Sequence, residues 1–163
     1  MGTETITKDE LLASMRASGS ELIAAARNVA LERWREGRYE EGWTAKDILA
    51  HLASIEWTFP KILLLAEQPA PEARDGEKAF RDGLGGYNQR QVAKRADATV
   101  EELVEEFERN RAATVAAVTQ ADDALLRVRV RSAGGIEGTA AEVFNYLTVI
   151  HLRDHLADIG GRS

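Results

Sequence analysis

The stretch Thr139-Ala140-Ala141-Glu142-Val143-Phe144-Asn145-Tyr146-Leu147-Thr148-Val149-Ile150-His151-Leu152-Arg153-Asp154-His155-Leu156-Ala157-Asp158-Ile159-Gly160-Gly161 carries its own start, face and stop. Thr139, followed three residues later by Glu142, is a capping box: hydroxyl and carboxylate each satisfy a backbone N–H that the first helical turn leaves without a partner. Gly160-Gly161 is a common helix stop. The spacing predicts a helix from about Ala140 to Ile159. At about 100° per residue, Phe144, Leu147, His151, His155 and Asp158 fall within an arc of about 80°. Two imidazoles four residues apart therefore share a stripe with large apolar side chains and can aim at one point.

The same start signal recurs as Thr7-x-x-Glu10 and Thr99-x-x-Glu102, with Thr44-x-x-Asp47 as a shorter acidic analogue. A first helix is expected from about Lys8 to Glu36, with Leu11, Leu12, Met15, Leu22, Ile23, Ala26 and Ala30 as its apolar stripe and a stop before the Gly37 region. A second begins after Trp43 and carries Ile48, His51, Leu52, Ile55, Phe59 and Ile62 on one side. Pro60 removes one of its hydrogen bonds and should kink it. A third runs from about Val100 to Gln120, with Leu103, Phe107, Ala113 and Val118 directed inward. Between about Gln68 and Ala98 prolines and glycines break the pattern, leaving room for a short helix over Tyr87 to Lys94. Arg127-Val128-Arg129-Val130-Arg131 alternates with the period of a strand but has no evident second strand, so it reads as an extended linker. The sum is an all-α chain: an antiparallel four-helix bundle with a long crossover between the second and third helices, residues 1–163 forming one domain.

Composition removes several classes of function. The 21 basic residues are scattered among 27 acidic ones, for a net charge of -6, so nucleic acid and anionic membrane surfaces are poor partners. With no cysteine, disulfides, a thiolate nucleophile and Cys-ligated metal sites are all excluded. The N-terminus is polar and acidic, unlike a signal peptide, and the apolar run Ile62 to Ala66 is far short of the roughly 20 residues that cross a bilayer. The expectation is a soluble, cytoplasmic protein acting on a small molecule.

Any metal site must therefore rest on histidines and carboxylates. The chain has three histidines, and all three face inward on their helices: His51, His151 and His155. Asp47, four residues before His51, and Asp158, three after His155, are spaced to accept an imidazole N–H, although Asp47 also serves as a helix cap and Asp158 suits a solvated helix end. Trp43 reads as a hydrophobic staple at the entry to the second helix. Glu56, Trp57 and Arg153 fall off the histidine face and are expected at the surface or in a subunit contact. Exposed Trp34 and Trp57 would suit a homodimer.

The segment Gly42-Trp43-Thr44-Ala45-Lys46-Asp47-Ile48-Leu49-Ala50-His51-Leu52-Ala53 resembles the Trp-to-His signature of the DinB-like superfamily, and Asn145 to Ile159 resembles its closing H-x-x-x-H helix. Asn88, after Tyr87, resembles an Asn found in the crossover of many relatives. The resemblance spans nearly the whole chain. It implies a four-helix bundle holding a divalent metal, often zinc or nickel, on three side chains: here His51, His151 and His155, with Asn88 as a pocket residue. The superfamily includes mycothiol-dependent maleylpyruvate isomerases and bacillithiol S-transferases, and the colibactin self-resistance proteins are a neighbouring group.

Three imidazoles leave open positions on the ion, whereas a structural zinc normally has four protein ligands. An open site favours catalysis, and a chain without cysteine would take its thiol from a low-molecular-weight cosubstrate. The leading expectation is therefore metal-dependent transfer of such a thiol to a small electrophile, in detoxification or stress response. The alternatives are a small-molecule-binding or toxin-resistance protein of the colibactin-resistance type, and a helical dimer whose histidines are structural.

Overall fold

The computed structural model describes residues 6–36, 42–68, 74 and 83–159. Its helices are α1 (Lys8–Asn28), α2 (Ala45–Ile55), α3 (Lys61–Ala66), α4 (Gly83–Lys94), α5 (Val100–Gln120), α6 (Asp123–Leu126), α7 (Ala140–Asn145) and α8 (His151–Ile159). Thr7, Thr44, Thr99 and Thr139 each accept from the backbone N–H three residues on, and the acid at that position accepts from the threonine N–H in return. The expected stops at Gly37 and at Gly160-Gly161 lie outside the described residues.

The fold is an all-α four-helix bundle built from α1, α2–α3, α5 and α7–α8. Each of α1 and α2 packs against both α5 and α8. Asn110 donates to the Ala53 carbonyl and Arg111 to Glu56, while Lys46 reaches the Ala96 carbonyl, so α2 and α5 run side by side in the same direction. Ser18 with Thr148, and Glu21 with Arg153, set α1 alongside α8 in the same sense. The antiparallel pairs are α1 with α5 and α2 with α8. Parallel α2 and α5 require the chain to return to its starting end, which is what the long crossover accomplishes.

Two apolar clusters fill the interior. One gathers Leu11, Met15, Phe59, Ile62, Val118 and Phe144; the other gathers Leu22, Trp34, Trp43, Leu103, Phe107 and Leu152. Between them lies a polar layer. Arg111 donates from Nε and Nη2 to the two oxygens of Glu56 at 2.8 and 3.1 Å, and also to Ser18 Oγ and to the carbonyls of Met15 and Thr148. All four elements of the bundle meet on this one guanidinium.

The structure corrects several expectations. Glu56, expected at the surface, is 1% exposed: α2 is enclosed by α4, α5 and α8, with every residue from Ile48 to Ile55 buried, so the side away from the histidines faces Arg111 of α5 rather than solvent. On α5 Leu103, Phe107 and Val118 are buried as expected, but Ala113 is exposed and Arg111 and Thr114 face inward instead. The first helix stops at Asn28; Val29 and Ala30 are extended and a 3-10 turn spans Leu31–Arg35. That turn tucks Trp34 into the core, where it is buried rather than exposed. Trp57 is exposed, as expected. At Pro60 the helix is interrupted rather than kinked, and α3 begins one residue later.

Arg129–Arg131 is a strand, β1, paired antiparallel with β2 (Glu137–Thr139), so the segment is not an unpaired linker. Its partner, Glu137-Gly138-Thr139, is too short and contains a glycine, which hid it from the periodicity. In the last helix a π turn over Tyr146–Ile150 separates α7 from α8. The helical stretch Ala45–Ala66 has the length and mean hydropathy (1.3) to cross a membrane, but 67% of its most apolar window is buried against the rest of the protein.

Candidate metal centre

Trp43 stands just before the Thr44 cap of α2, and its indole packs in the same cluster as Ile48, four residues into the helix. This staple fixes the direction in which α2 enters the bundle. His51 follows two turns in and is 4% exposed, with its ring centroid 5.0 Å from that of Trp43. His151 opens α8 as the π turn ends, its N–H bonding back to the Tyr146 carbonyl. His155 follows one turn later. Tyr146 stacks beside the His151 ring, at 6.4 Å and 25°.

The three rings converge. One ligand-capable nitrogen from each lies within 4.8 Å of the others. The Nε2 atoms of His151 and His155 are 3.1 Å apart, and the His51 ring meets both of its neighbours edge-on. Nitrogens held by one zinc at 2.0–2.1 Å stand about 3.3 Å apart in a tetrahedron and about 2.9 Å apart at right angles. The His151–His155 separation falls between these values. His51 Nδ1 is buried without a hydrogen-bond partner, which is costly unless another species engages the ring. The donor set thus fits a divalent ion of the kind imidazole suits.

Electrostatics favour the neutral form of His51 and His155. Burial, followed by the nearness of His155 and His151, lowers the His51 pKa to about 3. Burial also lowers that of His155, although Asp158 and Asp154 pull in the other direction. Neutral imidazoles retain the lone pairs that metal ligation needs.

The cluster forms one wall of a cavity of about 450 Å³. His51 and His151 face it, together with apolar side chains of the 55–65 stretch, Leu84 of α4 and Leu147 of the π turn. Asn88 also lines it, and its Oδ1 is buried without a hydrogen-bond partner. Asp158 lies 4.0 Å from His155 Nδ1, an electrostatic contact rather than a hydrogen bond. Asp47 is directed elsewhere: its Oδ2 accepts the Thr44 N–H, closing the helix cap. Arg153 lies at the surface, paired with Glu21. Ser132, Gly134 and Ile136 of the β-hairpin turn also line the cavity, and no motif in the sequence points to them.

Bundle and histidine cluster together define a DinB-like protein. The chain belongs to the mycothiol maleylpyruvate isomerase N-terminal domain family, whose model matches residues 15–155. Among solved structures it resembles the mycothiol-dependent maleylpyruvate isomerase, with a TM-score of 0.71 and 19% identity over 96% of this chain and 62% of that one. A histidine-to-alanine mutant of the same enzyme matches with a TM-score of 0.70 at 19% identity, over 94% and 60% of the two chains. The chain thus spans about three fifths of the isomerase. YfiT from Bacillus subtilis, described as a probable metal-dependent hydrolase with an unusual four-helix bundle topology, matches with a TM-score of 0.68 and 16% identity over 98% of this chain and 89% of that one. At these identities the likeness is one of fold. No curated protein matches the chain by sequence.

Proposed function

We propose that the chain holds a divalent ion, zinc or nickel, on His51, His151 and His155 and transfers a low-molecular-weight thiol to a small electrophile. The observation that carries this reading is the convergence of three imidazoles beside an apolar cavity, in a chain with no cysteine of its own. Its family relationship to a mycothiol isomerase domain favours a thiol cosubstrate. A bound divalent ion would lower the pKa of coordinated water toward about 7 and hold a coordinated thiol as its thiolate.

The residues have separable tasks. Trp43 presses on one side of His51 and holds its ring plane. Asp158, beside His155 Nδ1, favours the tautomer that leaves Nε2 as the ligand. The apolar wall excludes water from the electrophile, and Asn88 offers it a polar contact.

Elemental analysis of untagged protein, beside a His51→Ala/His151→Ala variant, tests the ion: near one equivalent in the wild type and none in the variant is the expected result. Turnover of a reactive electrophile with and without added thiol then tests the chemistry. Consumption that requires thiol supports transfer. Metal-dependent turnover without thiol would favour hydrolysis, the reading suggested by the near full-length likeness to YfiT. Metal-independent binding without turnover would favour a resistance protein.

A further inference from the structure

We infer that the electrophile is an elongated apolar molecule with its reactive group at one end: the head stands at the ion, and the tail lies in the seam between α2–α3 and the π turn. The inference rests on the thiol-transfer reading above and adds to it the class of molecule that enters.

Helix phase draws the seam. Forward from His51, Ile55, Phe59 and Ile62 follow in steps of four, four and three residues, and all three line the cavity with it. Backward from His151, Leu147 stands four residues earlier and lines the same cavity. Because α2 and α8 run antiparallel, forward along one and backward along the other is a single direction in space, away from the histidines. Each four-residue step advances about 6 Å along a helix. The apolar positions therefore extend the cavity from the imidazoles along both flanking helices. Leu65 of α3 and Leu84 of α4 add to this wall. Leu84 meets the hairpin turn so closely that a Cβ on Gly134 would stand 3.2 Å from its Cδ2, so α4 and the turn close on each other.

The other polar side chains of the described wall interrupt the seam little. Thr58 Oγ1 donates to the Ile55 carbonyl at 2.7 Å, and Ser132 Oγ accepts the Ile136 N–H at 3.1 Å. Lys61 is exposed, its ammonium 4.3 Å from the centre of the exposed Trp57 ring, and Asn88 adds one amide. A head that ligates the ion satisfies the polar end of the cavity, while a tail along the seam takes its own apolar surface and that of the wall out of water together. The volume of about 450 Å³ lies within the roughly 300–1,000 Å³ typical of small-molecule sites.

Straight-chain hydroxamates supply a head that ligates zinc and a tail of chosen length. Titrated calorimetrically into zinc-loaded protein, hexanohydroxamate should bind about 100-fold more tightly than acetohydroxamate, since each added methylene contributes up to about fourfold. Metal-free protein should bind the longer compound more weakly by about tenfold or more, for want of the ligated head. In Leu84→Asp and in Leu65→Asp, which place a carboxylate on separate elements of the wall, the gain from the longer tail should fall to about 20-fold or less. A gain below about fivefold in zinc-loaded wild type would overturn the placement of the tail, while zinc-dependent binding of the head alone would leave the ion reading standing. A full gain that zinc does not affect would overturn the placement of the head, and the ion reading with it. A full gain that survives in both variants would put the tail elsewhere and overturn the seam.

Discussion

Replacing Arg111 by methionine removes the one cation of the polar layer and leaves the Glu56 carboxylate, 1% exposed, without its partner. The pair is bidentate, at 2.8 and 3.1 Å, and the guanidinium also serves Ser18 and the carbonyls of Met15 and Thr148. Breaking a buried pair from one side typically costs about 3–5 kcal/mol, because an uncompensated charge stays behind. Against a total stability of roughly 5–15 kcal/mol this is a large fraction. At about 2–4 °C per kcal/mol for a chain of this size, it lowers Tm by about 6–20 °C. The Glu56→Leu/Arg111→Met double variant removes both charges, and it should recover at least about 2 kcal/mol of the sum of the two single losses. Urea denaturation of the four proteins closes the cycle. Single losses below about 1 kcal/mol, or strictly additive ones, would refute the view that this pair is desolvated and coupled.

Three further outcomes are expected. In metal-free protein His51 has a pKa of about 3, below its unfolded value near 6.5, so its contribution is intact above about pH 6.5 and is lost as pH falls toward 3. Denaturant titrations should record a loss between pH 7.5 and 5 that is about 2 kcal/mol larger in the wild type than in His51→Gln, where His155 still contributes; an equal slope in both proteins would refute the assignment. The capping glutamates Glu10, Glu102 and Glu142, with lowered pKa values, add their losses only below about pH 4.5. Thr139→Ala should cost about 1 kcal/mol by removing the box that starts the histidine-bearing helix, and a change within a few tenths would show that packing alone sets that helix start. Trp43→Ala should destabilise the fold by about 3–5 kcal/mol and broaden the His51 ring resonances in NMR; an unaltered His51 spectrum would argue against the indole as its support.

The sequence made some of this arrangement visible and hid the rest, for physical reasons. The threonine capping boxes are local, since each is closed by hydrogen bonds within four residues, so the starts of α1, α2, α5 and α7 could be read directly. The shared face of His151 and His155 followed from their spacing, and the structure brings both to His51. What stayed hidden depends on how the elements pack against one another. Glu56 is buried because α2 is enclosed on every side and meets Arg111 there, and the partner strand of β1 exists only because a tight turn at Ser132–Ile136 folds it back. Arg111 was the available clue: an arginine between Phe107 and Thr114 on an apolar stripe implies a buried acid somewhere, but the sequence does not say which.

The π turn acts as a change of phase within one helix. An extra residue over Tyr146–Ile150 offsets everything after it by about 100° relative to a continuous α-helix, so α7 and α8 keep separate angular registers. The half before the offset presents Phe144 to one apolar cluster, and the half after it presents Leu152 to the other. The Thr148 carbonyl within the offset faces Ser18 and Arg111. Straightening the turn into α-helix with every residue kept would rotate α8 by about 100° and take its histidines off the His51 side, whereas deleting one residue there would remove the bulge and leave both halves facing as they do.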